Sequence, residues 1–393
     1  MSAASIQNRF HTMRSTGIYE TITTLGESVS AFVPHALPPS KPALAPESYA
    51  PGVRAAELAL ARLSGVSGLV PSVGWLLYSA IRKEALLTSQ IEGTQATLAD
   101  LFDDEAGLVV TNTDDVEEVS NYLRAFNHVR NELSRADGLP ISVRLLCDAH
   151  RLLMTGARGA NKQPGELRRS QNWIGGTRPG NAVFVPPPPG RVAPLLADLE
   201  RYIHEPNPSL PALVRIALVH VQFETIHPFL DGNGRIGRLL IAALMEHWGL
   251  LPEPLMYLSG YLKQHQAVYY QRLAVVRTGG DWEAWVSFFL EAVEVAATEA
   301  ERGIVSVASL VAADRRRLLA APRAGAASLR LFELLPLMPR FTIEQARVKL
   351  DTTFPTATAA VKLLQELGIV TEMTGQKKNR SFSYQAYVEL LTR

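Results

Sequence analysis

Twelve residues, from His227 to Arg238, carry the side chains of this 393-residue chain that are best suited to chemistry. They read HPFLDGNGRIGR and supply an imidazole, a carboxylate, three glycines and two guanidinium groups. His227 is the group that titrates closest to neutral pH, so it is the natural general base for a hydroxyl nucleophile. Asp231 offers one hard oxygen ligand, which suits Mg²⁺ because this ion keeps several waters and binds phosphate oxygens.

The rest of this run predicts a place where a chain of phosphates binds. Gly232 and Gly234 lack a Cβ, so the backbone can turn tightly and present N–H groups to an anion. Apolar residues recur at helical spacing from Ile236 onward, which puts the turn at the N-terminus of a helix, where the helix dipole favours negative charge. Arg235 and Arg238 lie three residues apart on that helix, and both can reach one phosphate tail.

The run resembles the motif HPFxDGNGRxxR of the Fic family, whose members transfer nucleotidyl groups from ATP to protein hydroxyls, and every fixed position matches. The resemblance implies that His227 is the base that deprotonates a target Tyr, Thr or Ser, and that Asp231 is the Mg²⁺ ligand. It implies that Arg235 and Arg238 clamp the β- and γ-phosphates of ATP. The implied phosphate cradle consists of Gly232, Asn233 and Gly234.

Two of these positions bear on the reaction, and a third on the fold. Gly234 and Arg235 separate the chain from the Doc-type toxins, which resemble Fic proteins but carry an Ala-Asn-Lys-like variant there and act as kinases. Phe229 is similar to the family's buried aromatic residue, which anchors the loop. The resemblance therefore implies a nucleotidyltransferase that moves AMP from ATP to a protein, the chain itself included, and releases pyrophosphate.

A second segment, Thr88 to Gly93, reads TSQIEG and matches the inhibitory motif [ST]xxxE[GN] that one class of Fic proteins carries before the catalytic core. The resemblance implies that Glu92 pairs with Arg238. A carboxylate there would remove a cation from the γ-phosphate and place like charge where that phosphate must lie. The sequence therefore predicts autoinhibition by Glu92.

A third segment predicts how a target is held. The short β-type runs Asn172–Ile174 and Ala182–Val185 flank a Gly-Gly-Thr-Arg-Pro-Gly-Asn connection, which is typical of a hairpin. The hairpin resembles the flap of Fic proteins, so residues 172–185 are expected to hold the backbone of the target by strand addition. Tyr261 and Gln264 follow the motif helix, where relatives build part of the adenine pocket.

Composition limits the remaining function classes. Lys and Arg number 39 against 38 Asp and Glu, so a net charge of +1 gives no general attraction to nucleic acid or an anionic membrane. The one cysteine, Cys147, excludes an intramolecular disulfide and fits a reducing compartment. The first residues lack the apolar core of a signal peptide, and no apolar stretch is long enough to span a bilayer. The sequence thus favours a cytoplasmic protein without a membrane partner.

The helical periodicity of the chain, and the proline-, glycine- and serine-rich stretches that interrupt it, predict a mainly α fold in four parts. An irregular N-terminal arm (1–50) and a helical region with the inhibitory motif (51–135) precede a helical Fic core with an inserted β-hairpin flap (142–300). A small α+β module (327–393) ends the chain and looks like a winged helix, a module that occurs in related Fic proteins. Its expected second helix offers Lys362, and its wing offers Lys377, Lys378 and Arg380.

Three functions remain open at this point. The first is an Mg²⁺- and ATP-dependent AMP-transferase inhibited by Glu92. The second is a regulator whose winged helix binds DNA while the core senses nucleotide, and the third is a hydrolase in which Glu92 positions water to remove AMP. An intact His227 favours the enzyme, because a sensor has no need of a base. DNA, a protein target and a second copy of the chain all remain candidate partners of the last module.

Overall fold

The computed structural model describes residues 14–156, 161–376 and 379–392, so the wing lysines Lys377 and Lys378 lie outside the described residues. In the described part the chain is mainly α-helical and carries two small antiparallel sheets. The predicted fold class is therefore confirmed. None of the helices in these ranges has both the length and the apolar character that crossing a membrane requires.

Residues 17–34 form a β-hairpin, and the prediction of an irregular arm over residues 1–50 is wrong for this stretch. Strands β1 (Gly17–Thr24) and β2 (Glu27–Pro34) pair antiparallel along their whole length. Leu25 and Gly26 join them with φ angles of 50° and 78°, both left-handed, as a two-residue turn matched to the twist of a hairpin requires. Phe32 and its neighbours in β2 are buried, so the hairpin packs on the protein.

The helices of the first part lie between the hairpin and residue 134. They are α1 (Pro46–Val66), α2 (Val73–Ile91), α3 (Leu98–Glu105) and α4 (Thr113–Ser134). Ser72 caps the start of α2, because its side chain accepts a hydrogen bond from the N–H of Gly74. Helix α2 ends at Ile91, which places Glu92 directly after the helix.

The helices of the second part surround one buried helix. They are α5 (Val143–Leu153), α6 (Pro189–Ile203), α7 (Ala212–Ile226), α8 (Asn233–His247), α9 (Leu258–Gln264), α10 (Gln266–Gly279) and α11 (Trp282–Leu319). All residues of α7 after Ala212 are buried, including five polar or charged ones. A helix that is apolar nearly all round is stable only at the centre of a core. Helices α7 and α8 therefore hold the loop between them on a rigid base.

The segment 172–185 forms less β-structure than the predicted hairpin. Its two runs share a single bridge, Ile174 with Phe184, and no extended strand. Gly175 and Gly176 both take left-handed φ angles, which bends the chain away directly after the bridge. Strand β2 lies along the opposite edge of the second run, Ala182–Val185, because the N–H of Phe32 donates to the carbonyl of Val185 over 2.9 Å.

The last part follows the helix, helix and hairpin order that the sequence predicts. It comprises α12 (Ala326–Leu334), β3 (Arg340–Thr342), α13 (Ile343–Leu350), α14 (Phe354–Glu366), β4 (Thr371–Glu372), β5 (Ser381–Ser383) and α15 (Gln385–Thr392), with β5 at the centre of the sheet. An ion pair joins Arg340 to Asp103 of α3, and the hydroxyl of Tyr384 donates to Asp314 of α11. These contacts attach this part to the helical core.

Candidate active site

The loop between α7 and α8 holds the predicted base in an unusual backbone conformation. Helix α7 ends at Ile226, and His227 follows it with a φ of 50° and an N–H that donates to the carbonyl of Phe223 over 2.9 Å. Gly232, with a φ of 75°, precedes the first residue of α8. A left-handed non-glycine residue costs on the order of 1–3 kcal/mol and persists only where its surroundings enforce it. The contacts around His227 must therefore hold it in place.

Asn233 closes this loop with its side chain. Its Oδ1 accepts from the N–H of Phe229 over 2.8 Å, and its Nδ2 donates to the carbonyl of the same residue over 2.9 Å. The ring of Phe229 is buried and stacks on His150 at a centroid distance of 3.9 Å. Since the amide of Asn233 is used inside the loop, Asn233 can meet an anion only through its backbone N–H, like the rest of the first turn of α8.

His150 supports the loop from within the core, a contact that the sequence did not reveal. The N–H of Gly165 donates to its Nδ1 over 2.9 Å, so Nε2 carries the proton and donates to the carbonyl of Asp231 over 3.1 Å. Burial lowers the pKa of His150 to about 4, which keeps the ring neutral. A single buried histidine in α5 gives no sequence signal for this role, because its hydrogen-bond partners are backbone atoms of other segments.

Arg168 also supports the loop through backbone atoms, and the sequence did not reveal this contact either. Its side chain is almost fully buried, and its Nε donates to the carbonyl of His227 over 2.9 Å. Its Nη2 donates to the carbonyl of Pro187 over 2.6 Å. One guanidinium group thus joins the chain just after the segment 172–185 to the backbone of the predicted base.

The surroundings of His227 keep its imidazole neutral. Burial, together with the charge of Arg168, lowers the pKa of His227 from 6.5 to about 4. Its Nδ1 lies 3.4 Å from the carbonyl of Glu224, which leaves Nε2 directed away from the helix. An imidazole that is unprotonated at neutral pH can accept a proton, as a general base must.

The predicted contact between Glu92 and Arg238 is present. Nη2 of Arg238 donates to Oε1 of Glu92 over 2.5 Å, and Nε donates to the hydroxyl of Thr88 over 2.6 Å. The Arg238 side chain is 1% exposed and that of Glu92 is 35% exposed. Burial alone would raise the pKa of Glu92, but the charge and hydrogen bond of Arg238 outweigh it and hold this pKa below its usual value. The carboxylate therefore stays charged and paired.

Glu92 also covers the first turn of α8. A Cβ added to Gly234 would overlap Oε1 of Glu92 and come within 2.9 Å of Nη1 of Arg238. A side chain at position 234 would thus displace the ends of Glu92 and Arg238 from the backbone of α8. The helix N-terminus favours an anion at this position, and here the carboxylate of Glu92 provides it.

A cavity of about 210 Å³ adjoins this turn. Its lining includes Asp231, Arg235 and Glu92, together with residues of α4 and the end of α5: Asp114, Glu117, Glu118, Asn121, Leu153, Met154 and Thr155. No group of three or more His, Cys, Asp or Glu side chains in the described ranges is assembled around a metal position. The single, half-exposed carboxylate of Asp231 suits an ion that takes its other ligands from water and phosphate, as Mg²⁺ does.

Comparison with known proteins agrees with this geometry. Residues 51–131 match the family model described as Fic/DOC family N-terminal, and residues 140–245 match the model described as Fic/DOC family. The chain contains a Fic domain. The predicted family resemblance is confirmed, and the loop from His227 to Arg238 lies within the second match.

Curated relatives are named for a catalytic activity. The protein adenylyltransferase Fic of Drosophila ananassae is 28% identical over 211 residues, and that of Drosophila persimilis is 29% identical over 208 residues. These matches cover 53% and 52% of this chain, but 39% and 37% of the relatives. The chain thus spans about two fifths of the length of the curated relatives that it matches.

Solved structures share the fold of the Fic domain and its surroundings. A Fic family protein from Desulfovibrio desulfuricans has a TM-score of 0.53 and 22% identity, over 85% of this chain and 95% of that one. A Fic domain containing signaling protein from Bacteroides thetaiotaomicron has a TM-score of 0.51 and 18% identity, over 64% of this chain and 97% of that one.

Tyr261 and Gln264 do not reach the cavity beside the Fic loop. Tyr261 is buried, and its ring lies between His265, at a centroid distance of 4.1 Å, and Phe288, at 5.6 Å. Gln264 is exposed at the end of α9. Both positions follow from the packing of α9, whose inward face buries its aromatic residue while its last residues face solvent.

Glu224 is a buried carboxylate beside the second arginine of the Fic motif. Its Oε1 has no hydrogen-bond partner among the described residues, and burial raises its pKa to about 7 although the charge of Arg238 opposes this. A Cβ added to Gly237 would overlap this oxygen and come within 3.2 Å of the ring of Phe223. Gly237 therefore provides the space that the carboxylate occupies against the backbone of α8.

Proposed function

We propose that this Fic-domain protein transfers AMP from ATP to a hydroxyl group of a protein and releases pyrophosphate. The observation that carries the proposal is the loop itself, in which a neutral His227 precedes the N-terminus of α8, and Arg235 and Arg238 lie in the first turns of that helix. A base, an anion-binding helix end and two cations are what transfer of a phosphoryl-linked group needs. The names of the relatives support the same activity.

The proposed step uses the protein groups as follows. His227 takes the proton of the target hydroxyl, whose oxygen attacks the α-phosphorus of ATP while the bond from that phosphorus to the bridging oxygen of the β-phosphate breaks. The N–H groups of Gly234 and its neighbours, with Arg235 and Arg238, stabilise the charge on the leaving pyrophosphate. Asp231 would hold Mg²⁺, which when bound neutralises phosphate charge.

Glu92 inhibits this reaction in our proposal. Its carboxylate lies over Gly234 and holds Arg238, so it occupies the position that a terminal phosphate requires. Two like charges a few ångströms apart in a partly buried site repel each other strongly. ATP would then bind without the alignment that transfer needs, until the carboxylate moves away.

We also propose that the target's backbone lies along residues 172–174. The second run of the segment 172–185 already makes backbone hydrogen bonds on both of its edges, to Ile174 on one edge and to Phe32 of β2 on the other. The bridge directs the backbone groups of Ile174 toward Phe184, so those of Trp173 face the opposite side. An extended target segment can add there without displacing the N-terminal hairpin.

The last module is better suited to docking a protein than to reading DNA. The cation of its second helix, Lys362, lies 3.9 Å from Glu366 on the same helix, and Arg347 of α13 pairs with Glu344. Cations that are paired with carboxylates contribute less to phosphate binding than free ones. This supports a protein, a second copy included, as the partner of the module.

The transfer reaction is tested with ATP that carries label on either the α- or the γ-phosphate. The chain and its Glu92→Gly variant are incubated with Mg²⁺, alone and with a cell lysate, and intact mass and labelled bands are recorded. We expect only the α-label to become covalently bound, with a mass increase of one AMP. Transfer of the γ-label would show a kinase, and no covalent label with either variant would overturn the proposal.

The pH dependence of transfer tests the state of His227. Because burial and Arg168 lower its pKa to about 4, the base is already unprotonated well below neutral pH. We expect the rate of the Glu92→Gly variant to be nearly constant from about pH 8 to about pH 5.5 and to fall only below that. The variant that also carries Glu224→Gln is the control, because it removes the nearby carboxyl group whose pKa is about 7 and whose titration would otherwise overlap. A rate that halves near pH 6.5 in both variants would contradict the prediction.

A further inference from the structure

The two arginines of the Fic motif are held in different ways. Nη1 of Arg235 donates to Oε2 of Glu118 over 3.1 Å, and Nη2 lies 3.9 Å from the sulfur of Met154 and 3.9 Å from Oδ1 of Asp231. The Arg235 side chain is 7% exposed, and its Nε has no hydrogen-bond partner among the described residues. Glu118 is therefore the one carboxylate within hydrogen-bond distance of this guanidinium group in the part of the chain that the structure describes.

Arg238 differs because it keeps partners when its carboxylate leaves. Its Nε and Nη2 also donate to the hydroxyl and the carbonyl of Thr88, over 2.6 Å and 3.1 Å. Removal of Glu92 thus leaves a guanidinium group that is still oriented. Removal of Glu118 would leave the buried charge of Arg235 without a carboxylate at hydrogen-bond distance, with Asp231 at 3.9 Å, and proteins avoid such a loss. The pair between Arg235 and Glu118 has the properties of a permanent anchor.

We propose that Glu118 is a positioning residue that fixes Arg235 beside Asp231 at the wall of the 210 Å³ cavity. The proposal rests on the proposed function, because it assigns to Arg235 a contact with the phosphates of ATP. Glu118 holds one edge of the planar guanidinium group, so the other edge, with Nη2, faces Asp231. Glu118 lies on α4, so the N-terminal helical region helps to complete the phosphate site of the Fic core.

The experiment uses the full chain with the Glu92→Gly substitution, so that transfer is measurable. Glu118→Gln and Glu118→Asp are compared with Glu246→Gln, which breaks another ion pair between the same two helices, that of Arg130 with Glu246 at 2.7 Å. The affinity for ATP with Mg²⁺ is measured by titration calorimetry, and KM and kcat are measured for transfer. The calorimetric readout does not depend on transfer.

We expect Glu118→Gln to weaken ATP binding and raise KM by about 10- to 100-fold, the usual effect of losing the group that orients a ligand-binding residue. Glu118→Asp should restore part of the affinity because it keeps the charge, and Glu246→Gln should leave KM and kcat unchanged. Tighter ATP binding or faster transfer in Glu118→Gln would make Glu118 an inhibitory carboxylate and overturn the proposal.

Two further outcomes are decisive. An equal loss of ATP affinity in Glu246→Gln would show that Glu118 only attaches α4 to α8, and would also overturn the proposal. If no variant transfers AMP but Glu118→Gln alone weakens ATP binding, the positioning role is supported and the proposed AMP transfer fails.

Discussion

Replacement of His227 by alanine should reduce AMP transfer by about 10²- to 10⁴-fold, the usual contribution of a general base. The imidazole is neutral and can accept the proton of the target hydroxyl, and Arg168 holds the backbone of His227 in place through its carbonyl. ATP binding should change little, because the phosphate contacts come from the turn and the arginines. Transfer is measured with α-labelled ATP in the Glu92→Gly background, and ATP affinity by calorimetry.

His247→Ala is the matched control for this substitution. His247 is exposed at the other end of α8, so its loss removes an imidazole from the same helix without touching the loop. It should leave transfer unchanged. A His227→Ala variant that transfers AMP at the rate of this control would exclude His227 as the base.

Replacement of Glu92 by glycine should raise AMP transfer by about 2- to 150-fold, because residues in contact couple by about 0.5–3 kcal/mol. The substitution removes the carboxylate that covers Gly234, while Thr88 keeps Arg238 oriented. Glu92→Gln separates the two effects of the carboxylate, since it removes the charge and keeps the bulk. Initial rates with α-labelled ATP measure the increase.

The double variant tests whether Glu92 acts through Arg238. Arg238→Ala should abolish the gain, so the variant with both substitutions should behave like Arg238→Ala alone, which is the non-additivity expected of residues in contact. Additive effects would show that Glu92 acts elsewhere. If Glu92→Gly leaves transfer unchanged but abolishes release of AMP from a modified protein, the carboxylate is catalytic and the hydrolase alternative replaces inhibition.

The sequence was most informative where one short segment carries the whole pattern. From His227 to Arg238, residue type and spacing predict which groups meet an anion, and the resemblance of Thr88 to Gly93 to the inhibitory motif predicts that Glu92 opposes it. The structure brings Glu92 and Arg238 together although 146 positions separate them. Helices were predictable for the same reason, since apolar spacing along one element decides which face is buried.

Contacts that depend on the backbone of distant segments could not be predicted. His150 and Arg168 act through carbonyl and N–H groups, which every residue possesses, so no residue type marks their partners. The N-terminal hairpin was missed because Leu25 and Gly26 form its turn, where asparagine or aspartate before glycine would have indicated it. The roles of Tyr261 and Gln264 at the adenine stay predictions, because a tyrosine in the core and one in a pocket have the same spacing in the sequence.

The space shared by Glu224 and Gly237 has a consequence for how the two positions can vary. One side chain occupies the volume that the other position leaves empty, so neither site can change alone without a clash or a void. Alanine or serine at position 237 would push the carboxylate of Glu224 away from the backbone of α8, whereas a shorter residue at position 224 would give a larger neighbour space. We therefore expect Gly237→Ala to be tolerated better in the Glu224→Ala background than alone, which thermal unfolding of the single and double variants would show.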